Sequence, residues 1–277
     1  MEWIMCTKKP FQQLLTPMVL AALILFALPT VLFAQDKALV WQDFSVDIHV
    51  QQDGTFDVYE YQTINFTSGT FTFGYREIPI QNLGYIDGWQ ITDGSGNTYQ
   101  HASTGKTPYT FTVDNSGSSY VINWYFPGRA NSTETYTLHY TVHDGLRYYE
   151  EGDQLWWKAI YGDRTFPVLD GHVKVTLPAP AQVMNWAAYI NERDAKNDAS
   201  ATVAGDQQSV QFALGHRLAA GEEFEVRVNL RQMSLLERNQ LGNIRLMRLQ
   251  HSVRLNKPIV SAGAHGPLFY WAGWAFF

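Results

Sequence analysis

FSVDIHVQQDGTFDVYEYQTINF, residues 44–66, decides the fold of this 277-residue chain. Phe44, Val46, Ile48 and Val50 alternate with Ser45, Asp47 and His49, the period-two pattern that lays apolar side chains along one face of a strand. Gln52-Asp53-Gly54 supplies a turn, and beyond it Phe56, Val58, Ile64 and Phe66 share one parity. Two alternating runs around an Asp-Gly turn are expected to close as a hairpin with one apolar face.

The same alternation recurs along the chain. Tyr109, Phe111 and Val113 lead through Asp114-Asn115-Ser116-Gly117 to Tyr120, Ile122, Trp124 and Phe126, and Pro127-Gly128 leads on to Tyr136, Leu138, Tyr140 and Val142. Val173, Val175 and Leu177 stop at Pro178-Ala179-Pro180. Val210 and Phe212 follow, then Phe224, Val226, Val228 and Leu230. Short strands punctuated by glycine turns, without helical periodicity, give an all-β fold: an antiparallel β-sandwich over residues 39–230. That span is about twice the ~100 residues of one immunoglobulin-type sandwich, so one enlarged sandwich or two abutting ones fit. Gly145–Leu169 mixes aromatic and acidic residues without a clean period, and a domain boundary is expected there if there is one.

Ahead of the strands, Lys8-Lys9 precedes the uncharged run Met18–Leu28, then Pro29 and Leu32-Phe33-Ala34. This is the layout of a secretory signal helix over residues 1–34, cleaved after Ala34. Leu32 is larger than the small residue such a site favours, which keeps an uncleaved anchor as the alternative. The chain is therefore expected to be exported, either held on the extracytoplasmic side of the cell membrane or released. Its one cysteine, Cys6, lies ahead of the apolar run, so the strand body has no disulfide and relies on packing. With 45% hydrophobic and 14% aromatic residues, that body is too apolar to be disordered. The formal charge of −6 hides an asymmetry, because residues 35–230 carry −12. Such a surface repels phosphate backbones and excludes nucleic acid as a partner.

With the strands laid out, residues 44–230 resemble the N-terminal ectodomain of the YciQ-like bacterial family of predicted membrane proteins, domain of unknown function 2207. The matching pieces are FSVDIHVQQDGTFDVYE, GYREIPI, LWWKAI, VKVTLP and AAGEEFEV, in that order. The resemblance implies a β-sandwich outside the membrane, followed by transmembrane helices, and it brings no catalytic residues. Residues 231–277 depart from the family. They are basic and end in PLFYWAGWAFF, 11 residues where a spanning helix needs about 20. The tail is expected to be truncated or aberrant, or else to lie on a membrane surface.

Candidate chemistry is sparse. Glu60 shares parity with Phe56 and Val58, and Arg76 with Ile78 and Ile80, so both charges point to the apolar side and are expected to pair. A structural ion pair outweighs a catalytic carboxylate there. Trp156, Trp157, Tyr148 and Tyr161 form a candidate ligand face, although adjacent strand residues face opposite ways and only one of the two tryptophans can belong to it. Glu150, Glu151 and Asp153 beside them invite a glycosidase reading, and Asp93-Gly94-Ser95-Gly96-Asn97 resembles the start of a calcium loop without its distal glutamate. His139 and His143 have a spacing that converges on a metal from a helix but not from a strand. No catalytic residue, cofactor or metal site is therefore assigned. The expected function is a non-enzymatic binding module of the cell envelope, with an envelope protein or a glycan as partner and a membrane tether. The alternative is a carbohydrate-binding or glycoside-active domain built on Tyr148–Tyr161.

Overall fold

The computed structural model describes residues 36–149 and 151–231. The signal helix and all but the first residue of the 231–277 tail lie outside the described residues. The chain lays down β1 (Ala38–Val50), β2 (Phe56–Ser68), β3 (Phe71–Pro79), β4 (Tyr85–Asp93), β5 (Gln100–His101), β6 (Thr110–Asn115), β7 (Ser119–Arg129) and β8 (Ser132–His143). There follow β9 (Arg147–Tyr149), β10 (Gly152–Ile160), β11 (Gly171–Thr176), β12 (Val183–Ile190), β13 (Arg193–Asp194), β14 (Ala199–Val203), β15 (Ser209–Leu214) and β16 (Phe224–Leu230).

The hairpin of β1 and β2 runs in register from Val50 opposite Phe56 to Ala38 opposite Ser68, with a bulge between Trp41 and Asp43. Its turn closes through the Gln51 amide on the Thr55 carbonyl at 2.8 Å. Gly54 takes φ +87°, which a side chain would strain. This hairpin is the middle of a seven-stranded sheet ordered β14-β15-β11-β1-β2-β8-β4. A five-stranded sheet, β13-β12-β16-β10-β9, and a four-stranded one, β3-β7-β6-β5, complete the fold.

Both smaller sheets pack on the same face of the large one. Phe66 meets Phe126 of the four-stranded sheet at 5.9 Å between ring centroids, and Tyr136 meets Trp124 at 5.9 Å. Toward the five-stranded sheet, Phe56 stands edge-on to Trp157 at 5.3 Å, and Phe212 to Trp186 at 6.0 Å. All these side chains except the partly exposed Trp186 belong to one continuous core, so the sandwich is a single enlarged one. Burying each large apolar side chain there contributes about 1.5–3 kcal/mol.

Three features depart from the sequence reading. First, β1 pairs β11 in parallel, Phe44 opposite Gly171 through His49 opposite Thr176, and β5 pairs β6 in parallel. Second, β4 and β12 are strands without visible alternation. In β4 a bulge between Asp87 and Gln90 shifts the parity halfway, and in β12 a bulge between Val183 and Asn185 is followed by outward residues, Ala187 and Tyr189, as little polar as the inward Ala188 and Ile190. Third, Gly145–Leu169, read without a clean period, carries β10, an inner strand between β16 and β9 whose Leu155, Trp157, Ala159 and Ile160 are buried.

The loop after β10 is tied down by one side chain. Arg164 donates from Nε to the Tyr161 carbonyl at 2.8 Å and from Nη1 to the Phe166 carbonyl at 3.0 Å, while Nη2 donates to the Glu222 carbonyl. Burial lowers its pKa to about 10, which leaves it charged at neutral pH. The chain enters and leaves the sandwich at opposite ends. A Cβ on Gly171, which pairs with Phe44, would meet Ile160, and Ile160 pairs with Phe224 at the start of β16. Leu230 pairs with Asp153, Asp153 pairs with Tyr148, and the Tyr148 hydroxyl lies 2.5 Å from where a Cβ on Gly54 would sit. Leu230 is thus at the β1–β2 turn, and Ala38 is the length of β1 away.

Candidate functional site

Two sheets and the loop after β10 meet at Arg76. Its β3 strand pairs β7 with Arg76 opposite Ile122, which turns the side chain inward toward β2. The guanidinium donates to Glu60 from Nη2 at 2.8 Å and from Nε at 2.9 and 3.0 Å, and from Nη1 to the Glu77 carbonyl at 3.0 Å. Tyr140 of β8 donates its hydroxyl to Glu60 at 2.8 Å. Gln62 donates to the second oxygen at 3.1 Å and is itself held by the Trp41 indole at 3.1 Å. Tyr161, positioned by the Arg164 tie, lies under the guanidinium with 3.9 Å from ring centroid to Cζ.

Glu60 is fully buried and Arg76 is 5% exposed, so neither charge could stand here alone. Burial opposes the charge on Arg76, but Glu60 outweighs it and raises the pKa above the ordinary arginine value. Burial first, then the Glu60 charge, push the Tyr140 phenol well above its usual range, so it stays protonated and donates. Both Glu60 oxygens are engaged by fixed donors, which makes this a lock between layers.

The four aromatic candidates are divided by the fold. Trp157 is 3% exposed in the core, Tyr148 turns inward beside the Gln51–Thr55 turn, and Tyr161 lies beneath Arg76. Trp156 alone faces outward on the five-stranded sheet, half-buried, its Nε1 donating to Glu225 at 3.1 Å. Distant strands complete its surroundings. Tyr189 of β12 stacks on it at 5.6 Å and 17°, Arg227 sits opposite it in register, and Arg147 of β9 lies 5.0 Å over its ring. Arg227 also lies 5.7 Å from the Tyr189 ring. Farther along, Lys158 bonds Glu223 at 2.6 Å and Glu225 at 3.1 Å. Burial works against this ammonium, but the bond to Glu223 and the charge of Glu225 outweigh it, and its pKa ends above the ordinary lysine value. Tyr189, Arg227 and Arg147 escaped the sequence reading because β12 hides its period and because register joins residues 71 positions apart.

The remaining clusters are accounted for locally. Asp93 accepts the Ser95 and Asn97 amides at 3.1 and 3.0 Å and the Asn97 side chain on both oxygens, so its carboxylate closes its own turn. Glu151 is exposed, Asp153 is buried on the inner side of β10, and Glu150 lies outside the described residues. His139 stacks on Tyr59 at 4.3 Å and lies 3.4 Å from Asp57, while His143 bonds Asp87 at 2.9 Å. The parallel β1–β11 pairing brings Asp43, Asp170 and His172 together with ligand atoms within 4.8 Å, and Ser45 donates to Asp43 at 2.8 Å. Among the described residues, no helix is long and apolar enough to cross a membrane.

Comparison with known proteins gives a family. The model of a family described as the N-terminal domain of a predicted membrane protein, domain of unknown function 2207, matches residues 41–230. No curated protein matches the chain. Leukotriene A4 hydrolase from Saccharomyces cerevisiae is similar over 69% of this chain and 29% of its own length, with 7% identity and a TM-score of 0.42. A two-domain M1 zinc metallopeptidase is similar over 69% and 43%, with 11% identity and a TM-score of 0.36. This chain thus spans less than half the length of either. It belongs to the family whose model matches it, the N-terminal domains of predicted membrane proteins.

Proposed function

We propose that, within this membrane-protein family, the sandwich is an extracytoplasmic binding module that meets another envelope component through the outer face of its five-stranded sheet. The observation that carries this reading is the stack of Trp156 on Tyr189 with Arg147 and Arg227 beside it. Tryptophan, tyrosine and arginine are the residues that dominate binding energy where proteins meet. Held on strands, they lose little freedom when a partner arrives. The closed Glu60 network supports a non-catalytic role, since its carboxylate is committed to Arg76, Tyr140 and Gln62. The signal-like N-terminus supports export, and the family supports a membrane tether.

Co-sedimentation of the purified chain with washed cell envelopes tests the reading. Wild type is expected to sediment, and Trp156→Ala to lose most of that association while keeping its melting temperature within a few degrees. Equal sedimentation of the two would overturn the assignment of this face. A glycan array run on the same pair reads the carbohydrate alternative: a sugar signal lost in Trp156→Ala would move the partner from protein to glycan.

A further inference from the structure

The outer face carries more than aromatic area, because its charge is arranged unevenly. At one end, Glu223 and Glu225 are both bonded by Lys158, at 2.6 and 3.1 Å. At the other end are Arg147 and Arg227, and among the described residues no carboxylate lies within ion-pair distance of either. What they touch is the indole of Trp156, at 5.0 Å from Arg147 and 5.9 Å from Arg227, with the Tyr189 ring 5.7 Å from Arg227. The Arg227 Nε is buried without a hydrogen-bond partner. The register sets Arg227 between Trp156 on one side and Ala187 on the other.

A guanidinium lying against an aromatic ring is held in orientation and keeps an N–H edge for a planar oxyanion, which it grips with two parallel hydrogen bonds. Two such groups bracket Trp156. We infer that Arg147 and Arg227 form a recognition site for carboxylate side chains on an acidic segment of a protein partner. This rests on the binding-module reading and names the chemistry of its partner. The wider surface favours a short acidic peptide over an extended polyanion or an anionic bilayer. Residues 35–230 carry −12, which repels any large negative surface, whereas a short segment need meet only the arginine end of this face.

The test is fluorescence anisotropy with the full chain and two labelled probes, decaglutamate and decaglutamine. Decaglutamate is expected to bind with an affinity that falls as salt rises, and decaglutamine at least tenfold more weakly. Arg227→Gln and Arg147→Gln are each expected to weaken decaglutamate binding about tenfold, the cost of one charge-assisted contact. Arg227→Lys separates a stacked fork from mere positive charge: binding as tight as wild type overturns the proposal. Lys174→Gln, on the exposed face of the other layer, is the control and should leave affinity unchanged. Equal binding of the two probes overturns the proposal as well. Arginine-dependent pelleting with phosphatidylglycerol vesicles, without peptide affinity, overturns it in favour of lipid. If decaglutamate fails while Trp156→Ala still abolishes envelope sedimentation, the carboxylate inference falls and the binding module stands.

Discussion

Arg76 on β3 grips Glu60 on β2 with two nitrogens at 2.8–3.0 Å, and so fixes the four-stranded sheet against the seven-stranded one at a single buried point. Neither residue can be removed without stranding the other in the core. Glu60→Ala is expected to cost about 3–5 kcal/mol, as for other broken buried pairs, whereas Glu60→Leu with Arg76→Met together should cost much less. Differential scanning calorimetry of both variants measures this. A single variant that melts like wild type would sink the account.

The neighbouring tryptophans should behave unlike one another. Trp157, buried against Phe56 and Tyr140, is expected to lose about 3–5 kcal/mol of stability on conversion to alanine. Trp156→Ala, on the outer face, should cost about 1 kcal/mol, near the centre of the range for point substitutions. Urea titrations of the two variants compare them directly, and similar midpoints would contradict the assigned faces.

Gly74 is required by contact. A Cβ there would lie 2.1 Å from two atoms of the Trp124 indole, itself fully buried. Gly74→Ala should force the ring aside and destabilise by about 1–3 kcal/mol, the usual range for overpacking. An unchanged near-ultraviolet circular dichroism spectrum in the variant would argue against this contact.

Glu77 gives β3 a pH dependence. Hydrogen bonds from Ser119 at 2.6 Å and Tyr75 at 2.7 Å lower its pKa, and burial offsets them only in part. A carboxylate held low in the folded state stabilises it above the unfolded pKa and loses that contribution as pH falls through the folded one. Between pH 7 and pH 3 the melting temperature of wild type is therefore expected to fall further than that of Glu77→Gln. Parallel declines would refute the assignment.

How much was legible follows from where each element gets its order. The β1–β2 hairpin and the inward turn of Glu60 and Arg76 follow from parity, because alternation fixes which way a strand residue faces. That Trp156 and Trp157 part company follows from the same rule. β4 stayed hidden because one extra residue at a mid-strand bulge cancels its alternation, and β12 because Ala187 and Tyr189 on its outer side read as apolar as Ala188 and Ile190 on its inner side. The parallel neighbour of β1 lies more than a hundred residues downstream, and no turn announces it. The arginines around Trp156 come from β9 and β16, and only the register of the folded sheet brings them to one ring.

The opposite placement of Ala38 and Leu230 has a mechanical consequence. β1 is flanked by β2 and β11, and β16 by β10 and β12, so each terminal strand is bonded along both edges. A pull applied between those two points acts along the strands, across a span of about 40 Å at ~3.3 Å per residue. Loaded in that direction, the ladder bonds of β1 and β16 share the force and must shear together, whereas termini at the same end would let them peel one by one. Tension applied between Leu230 and Ala38 would therefore find the domain in its stiffest orientation, with β1 and β16 resisting in shear rather than unravelling bond by bond.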